Sequence, residues 1–150
     1  MLSLSRQGLP CLRTEHTDEN LSTKGGYVLA GAECKRDVTL IASGSEVSIA
    51  IEAHDQLKAE GVSAAVVSMP CLDLFESQDK DYRNEVIPSG IPVVVVEAGV
   101  EQSWGRYLGE DGEFVGMKSF GASAPANDLF EHFGITTKNV VEAAKRITKK

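Results

Sequence analysis

The sequence predicts a three-layer α/β domain whose sheet has about five strands. Short apolar strands alternate with amphipathic helical segments over most of the chain, the pattern of helices packed on both faces of a sheet. Residues 38–68 follow the order strand, helix, strand, which predicts a parallel pair with a helical crossover. The 150 residues are 42% hydrophobic and 25% charged, as expected for one globular domain.

The first 25 residues differ from the rest. Leu2 and Leu4 alternate like the end of a strand, and residues 6–26 are polar and rich in turn formers such as Pro10. A structureless connection of this length is usually a linker. We therefore expect residues 1–25 to be the end of a preceding unit followed by a linker, with further sequence before Met1.

Two strands open the regular part of the chain, at Tyr27–Ala30 and Val38–Ala42. The second strand ends in the turn Ser43-Gly44-Ser45. A helix follows, because apolar side chains recur at helical spacing between Val47 and Leu57.

The ends of that first helix are also predicted. Ser43 and Glu46 have the spacing of a capping box, in which each side chain bonds a free backbone N–H at the helix start. Gly61 stands where a helix terminus favours glycine, and a third strand follows at Ala64–Ser68.

The remaining elements follow from the same periodicities. The run of valines before Glu97 indicates a strand in the middle of a parallel sheet, covered on both faces. In order, we predict a single turn at Leu72–Phe75, a helix at Asp79–Val86, a strand at Ile91–Val96, a helix at Gln102–Leu108, a strand at Phe114–Met117, and helices at Ala126–Phe133 and Thr136–Thr148.

The charge and composition of the chain argue against several classes of partner and indicate its compartment. The net charge of −7 makes nucleic acid and anionic membrane surfaces poor partners. Cys11, Cys34 and Cys71 are far apart and form no CxxC pair, which favours a reducing compartment over a disulfide framework. Since no stretch is apolar enough for a signal peptide or a bilayer span, the sequence predicts a cytoplasmic protein.

Candidate ligand sites lie beyond the carboxyl ends of the strands, where open parallel sheets bind their ligands. Ser43, Gly44 and Ser45 precede a helix and are able to present N–H groups to an anion, with plain helix capping as the alternative. Glu97 directly follows the valines, so we expect a partly buried carboxylate. It is either a general acid or base or a structural group. As a structural group, it would accept hydrogen bonds from neighbouring backbone or pair with a base such as Arg106.

No complete catalytic motif is visible. His16, His54 and His132 lack metal-ligand spacing, and the chain has no nucleophile elbow, zinc motif or nucleotide-binding glycine motif. We therefore predict no catalytic residue and no metal ligand in this chain.

Nine short strings, in their order and spacing over nearly all of the chain, resemble transketolase. They are LSRQ from Leu4, GGYVLA from Gly25, IASGSEV from Ile41, LKAEGV from Leu57, VVSMP from Val66, VEAG from Val96, VGM from Val115, FGASAPA from Phe120 and LFEHFGIT from Leu129. The related dihydroxyacetone synthases are the alternative family.

The resemblance implies a C-terminal, Rossmann-like domain over residues 26–150, with a mostly parallel five-stranded sheet in which one strand runs against the others. Residues 1–25 would then be the end of a pyrimidine-binding domain and a linker. Transketolases are thiamine-diphosphate-dependent transferases that move a two-carbon ketol unit between sugar phosphates, in the pentose phosphate pathway or the Calvin cycle. The cofactor and its Mg²⁺ (or Ca²⁺) lie between the upstream pyrophosphate- and pyrimidine-binding domains of a homodimer.

One functional residue carries over from the resemblance. Arg6 matches the arginine of the LSRQ motif, which binds the sugar phosphate in the family, and a guanidinium suits phosphate oxygens. In the isolated chain, Arg6 would only solvate the start of the linker. The cofactor-activating glutamate, the substrate histidines and the metal ligands lie upstream in the family, so we expect the isolated chain to bind no cofactor and to be inactive.

Three roles for the domain remain open from the sequence. The first is a structural or regulatory part of a transketolase. The second is a stand-alone regulatory module that binds a small anion. The third, compatible with the first, is an interaction domain that docks on its own upstream domains and steadies the dimer.

Overall fold

The structure is a computed structural model that describes residues 4–5, 7–32 and 34–149. The strands are β1 (Tyr27–Ala30), β2 (Val38–Ala42), β3 (Ala64–Ser68), β4 (Val93–Glu97) and β5 (Glu113–Gly116). The helices are α1 (Glu46–Ala59), α2 (Leu72–Glu76), α3 (Lys80–Val86), α4 (Gly105–Leu108), α5 (Ala126–Phe133) and α6 (Thr137–Thr148). Short 3₁₀ turns lie at Leu21–Lys24 and Glu101–Ser103.

The five strands form one sheet in the order β1-β3-β2-β4-β5. β2 pairs in parallel with β3 and with β4, and β4 pairs in parallel with β5. β1 runs antiparallel to β3 at one edge. The predicted mostly parallel sheet with one reversed strand is therefore confirmed.

Helices cover both faces of the sheet, which confirms the three layers. Leu40 and Val94 point to one core, which α1 and α6 close with residues such as Leu57. Ile41 and its neighbours point to the other core, which Phe75 and the segments around α3 and α4 close. Because successive side chains of a strand point to opposite faces, all five residues of β2 are buried.

The predicted continuous helix over residues 102–108 is wrong. The segment contains the 3₁₀ turn, then Trp104, then the single helical turn of α4. Trp104 is buried in the core that contains Ile41, and its backbone N–H donates to the Glu101 carbonyl at 2.7 Å. This i to i−3 hydrogen bond belongs to the 3₁₀ turn, which replaces the first part of the predicted α-helix.

The strand predicted at Ile91–Val96 begins two residues later and ends one residue later. Pro92 cannot donate to a ladder, and its carbonyl instead accepts from Thr39 N–H at 3.0 Å. The other predicted strands and the helices at α1, α3, α5 and α6 agree with the structure to within about one residue.

Gly25 joins the N-terminal segment to the sheet. Its φ is +80°, a left-handed conformation that favours glycine, and its carbonyl accepts from Cys71 N–H at 3.0 Å. A Cβ at this position would overlap the backbone at Phe75 and Cys71. Gly61 has the same φ of +80°, but a Cβ there would meet no atom within 4 Å among the described residues.

We therefore expect Gly25→Ala to destabilise the chain more than Gly61→Ala. The left-handed backbone alone costs about 1–2 kcal/mol for alanine, and overpacking raises the cost at Gly25 to roughly 3 kcal/mol or more. Urea denaturation followed by circular dichroism measures both variants. Equal losses in the free energy of unfolding would contradict the close approach of the α2 backbone to Gly25.

Candidate functional site at the carboxyl edge of the sheet

The carboxyl ends of β2, β4 and β5 lie side by side and bring distant polar residues together. Ala42 is in register with Val96, so the residue after β2 lies beside the end of β4. There the Ser43 hydroxyl donates to the Glu97 carboxylate (Oε2) at 2.8 Å. Glu97 is in turn in register with Gly116 of β5. The predicted candidates Ser43 and Glu97, 54 residues apart, therefore meet.

The predicted capping box at the start of α1 is wrong. Ser45 is the residue before the helix, and its side chain bonds no backbone N–H of α1. The Ser43 carbonyl, not its hydroxyl, accepts from Glu46 N–H, at 3.1 Å. The hydroxyl bonds Glu97 because strand pairing places that carboxylate within reach.

Two carboxyl groups share this edge. The Glu46 side chain is buried at 4% exposure and accepts from the Ser45 hydroxyl at 3.1 Å, whereas Glu97 is half-buried. Burial raises the pKa of Glu46. Burial also raises the pKa of Glu97, opposed by the Ser43 hydrogen bond and increased by the nearby charge of Glu46. Within the described ranges, no basic side chain forms an ion pair with either group.

The expected pairing of Glu97 with Arg106 is not observed. Arg106 instead lies 3.4 Å from Glu76, which Arg83 (3.0 Å) and the Tyr107 hydroxyl (2.6 Å) also bind. Tyr107 is the largest cause of the lowered pKa of Glu76. The network borders an open cavity of about 1030 Å³. Sequence reasoning missed it because α2, α3 and α4 contribute its members separately.

The sequence predicts two roles at the carboxyl edge, proton transfer by Glu97 and anion binding at Ser43, Gly44 and Ser45. A carboxyl group with a raised pKa is suited to proton transfer, so the acid or base role of Glu97 stays a prediction. Anion binding at Ser43, Gly44 and Ser45 also stays a prediction. The two adjacent carboxyl groups oppose an anion, and the Ser43 hydroxyl already donates to one of them.

The predicted phosphate ligand Arg6 lies outside the described residues. Its neighbour Ser5 is described, and the Ser5 hydroxyl oxygen is 4.0 Å from the position of a Cβ built on Gly44. The N-terminal segment therefore reaches the same edge of the sheet as Ser43 and Glu97.

The described part of the chain has neither a metal-binding cluster nor a helix that could span a membrane. No group of three or more His, Cys, Asp or Glu side chains there is arranged to hold a metal ion. Among the helices of these residues, none has the length and hydropathy needed to cross a bilayer.

Known proteins resemble this chain over its whole length. The family described as "Transketolase-like TK C-terminal domain" matches residues 25–136. The transketolase of Sinorhizobium medicae is 50% identical over 151 aligned residues, which cover 100% of this chain and 22% of that protein. The chain thus spans about a fifth of the curated relatives that it matches.

The solved structures that resemble this fold include transketolases. A transketolase from Leishmania mexicana superposes with a TM-score of 0.79 at 42% identity, covering 85% of this chain and 18% of that one. A structure titled "Split gene transketolase, inactive beta4 tetramer" has a TM-score of 0.74 at 27% identity, covering 96% of this chain and 48% of that one.

The half-buried carboxyl group of Glu97 predicts a pH dependence of the free energy of unfolding. Because the pKa of Glu97 is raised in the fold, the folded chain holds this proton more tightly than the unfolded chain, whose pKa stays near 4.5. Its contribution is therefore full below that value and is lost as the pH rises through the folded pKa. Glu97→Gln, which is neutral at every pH, is expected to unfold at higher urea concentration than the wild type at pH 7.5.

Glu76→Gln is the matched control for this measurement. The pKa of Glu76 is lowered, so its contribution is present above 4.5 and is lost as the pH falls. We expect Glu76→Gln to lower the urea midpoint at pH 7.5, the opposite sign to Glu97→Gln. A destabilised Glu97→Gln at pH 7.5 would show that the Glu97 carboxylate is stabilised in the fold, against the geometry described above.

Proposed function

Because this chain belongs to the transketolase family, we propose that it acts as the C-terminal domain of a transketolase that moves a two-carbon ketol unit between sugar phosphates. The observation that carries the proposal is the match itself. Half of the aligned positions are identical to the S. medicae transketolase over 100% of this chain, but over only 22% of that enzyme. The fold agrees, since transketolases superpose on the same sheet and helices.

In this proposal, residues 1–25 are the end of the pyrimidine-binding domain and a linker, and residues 26–150 are the C-terminal domain. Two observations support the division. The family match begins at residue 25, and every described residue from 4 to 20 is exposed. An exposed segment before the start of a domain is typical of a connection between domains.

Thiamine diphosphate and its Mg²⁺ (or Ca²⁺) would bind to the upstream pyrophosphate- and pyrimidine-binding domains in a homodimer, in the cytoplasm. The cofactor supplies the chemistry of breaking and forming the carbon–carbon bond. The residues of this chain would bind no cofactor and would support the domains that do, as a structural or regulatory module. The related structure that is titled an inactive β4 tetramer supports an inactive isolated chain.

A stand-alone anion-binding module is the weaker alternative. Its candidate site at Ser43 lies beside the carboxyl groups of Glu46 and Glu97, which repel an anion. The whole-length match to transketolases also supports the proposed family over a dihydroxyacetone synthase.

A chimera tests the proposed function. In the S. medicae transketolase, the region aligned with this chain is replaced by the chain itself. We expect the purified chimera, with thiamine diphosphate and Mg²⁺, to transfer the ketol unit from xylulose 5-phosphate to ribose 5-phosphate. The expected rate is within about tenfold of the parent, equivalent to about 1.4 kcal/mol in activation free energy.

The isolated chain and the parent enzyme truncated before this region are the controls. We expect no turnover from the isolated chain under the same conditions. A well-folded dimeric chimera without activity, or turnover by the isolated chain, would contradict the proposed function.

Arg6 provides a test of the substrate. We propose that its guanidinium binds the phosphate of the sugar, so Arg6→Gln in the chimera should lower kcat/KM for xylulose 5-phosphate roughly 10- to 100-fold, the effect of one charge-assisted pair. A ketose without a phosphate should react at an unchanged rate. Arg13→Gln, in the same exposed segment, is the matched control. Equal losses for both ketoses would assign Arg6 a role other than phosphate binding.

A further inference from the structure

The carboxyl edge of the sheet carries an exposed apolar surface. Phe120, in the loop after β5, is 98% exposed, and Val100, in the loop after β4, is 51% exposed. The two loops are joined, because Met117 N–H donates to the Gly99 carbonyl at 2.9 Å. We call Val100, Phe120 and the half-buried Glu97 at the end of β4 the carboxyl-edge surface.

The N-terminal segment arrives at the same place. The Ser5 hydroxyl lies next to Gly44, which follows Ser43, the hydrogen-bond partner of Glu97. Further apolar side chains of that segment are exposed: Leu4 is 83%, Leu9 45% and Leu12 36% exposed. Sequence that precedes this segment in a longer protein would therefore emerge beside the carboxyl-edge surface.

We propose that the carboxyl-edge surface docks against the upstream domains of the parent polypeptide. This inference rests on the proposed function and adds to it the face through which the C-terminal domain is attached. An almost fully exposed phenylalanine, on a loop joined to the loop that carries a second exposed apolar side chain, indicates an interaction surface. The occupant follows from the path of the chain, since the N-terminal segment brings the upstream domains to this edge.

The charged groups of the carboxyl-edge surface indicate which side chains the upstream domains would place against it. Glu97 and Glu46 have only serine hydroxyls as side-chain partners among the described residues. A complementary surface would place apolar side chains over Phe120 and Val100 and a hydrogen-bond donor or basic group opposite Glu97. A second copy of this chain would instead bring the same two carboxyl groups against each other, on a chain of net charge −7.

The test compares one substitution in two contexts. Phe120→Ser is made in the chimera described above and in the isolated chain. In the isolated chain the ring is almost fully in water, so we expect its melting temperature to be unchanged. In the chimera we expect the unfolding of the C-terminal domain to shift down by roughly 4 °C, as for a buried phenylalanine.

Val100→Ser and Leu74→Ser form a matched pair. Val100 is 51% exposed on the proposed surface, whereas Leu74 is 46% exposed on α2, next to Gly25. We expect Val100→Ser to lower the melting temperature more in the chimera than in the isolated chain, and Leu74→Ser to have the same effect in both. A Phe120→Ser shift that is equal in both contexts would overturn the proposal.

Hydrogen–deuterium exchange measures the docking of the carboxyl-edge surface independently of enzyme activity. The amides of residues 98–101 and 117–122 should exchange at least about tenfold more slowly in the chimera than in the isolated chain. Protection lost on dilution of the dimer to monomers would assign the surface to the partner subunit and overturn the proposal. An active chimera without this protection would refute the docking face and leave the proposed function intact. Protection in an inactive chimera would support the docking face and count against the function.

Discussion

The burial of β2 on both faces is the constraint on which the rest of the structure depends. A strand without a solvent-facing side needs helices above and below, so the three layers follow from it. Its alternating side chains divide the interior, with Leu40 in one core and Ile41 in the other. Its parallel pairing with β3 and β4 also aligns the carboxyl ends of the three strands at one edge.

That alignment creates the local chemistry of the carboxyl edge. Parallel register places the residue after β2 beside the last residue of β4, so a serine hydroxyl and a carboxylate meet across the sheet. Burial then disfavours the charged form of Glu97 and Glu46, and the helix start at α1 lies against groups that repel anions. The carboxyl groups would repel an anion placed at Ser43, Gly44 and Ser45.

The two cores are covered by the chain's own helices, but the carboxyl edge of the sheet is only partly covered. The cores are closed by helices of the chain itself, whereas the carboxyl edge keeps Phe120 and Val100 exposed to solvent. The same edge receives an N-terminal segment whose described residues from 4 to 20 are exposed. This contrast agrees with a domain that folds around its own sheet but forms only about a fifth of its relatives.

The sequence by itself determined the strands, the parallel unit over residues 38–68 and the last two helices, because periodicity and helix-stop signals act over a few neighbouring residues. The motif series also indicated the family and the reversed strand. Only the tertiary structure decided that a 3₁₀ turn replaces the first part of a predicted helix, that Ser43 bonds Glu97 rather than capping α1, and that Arg106 joins Glu76. Each of these depends on strand register and core packing, which bring together residues that are remote in sequence.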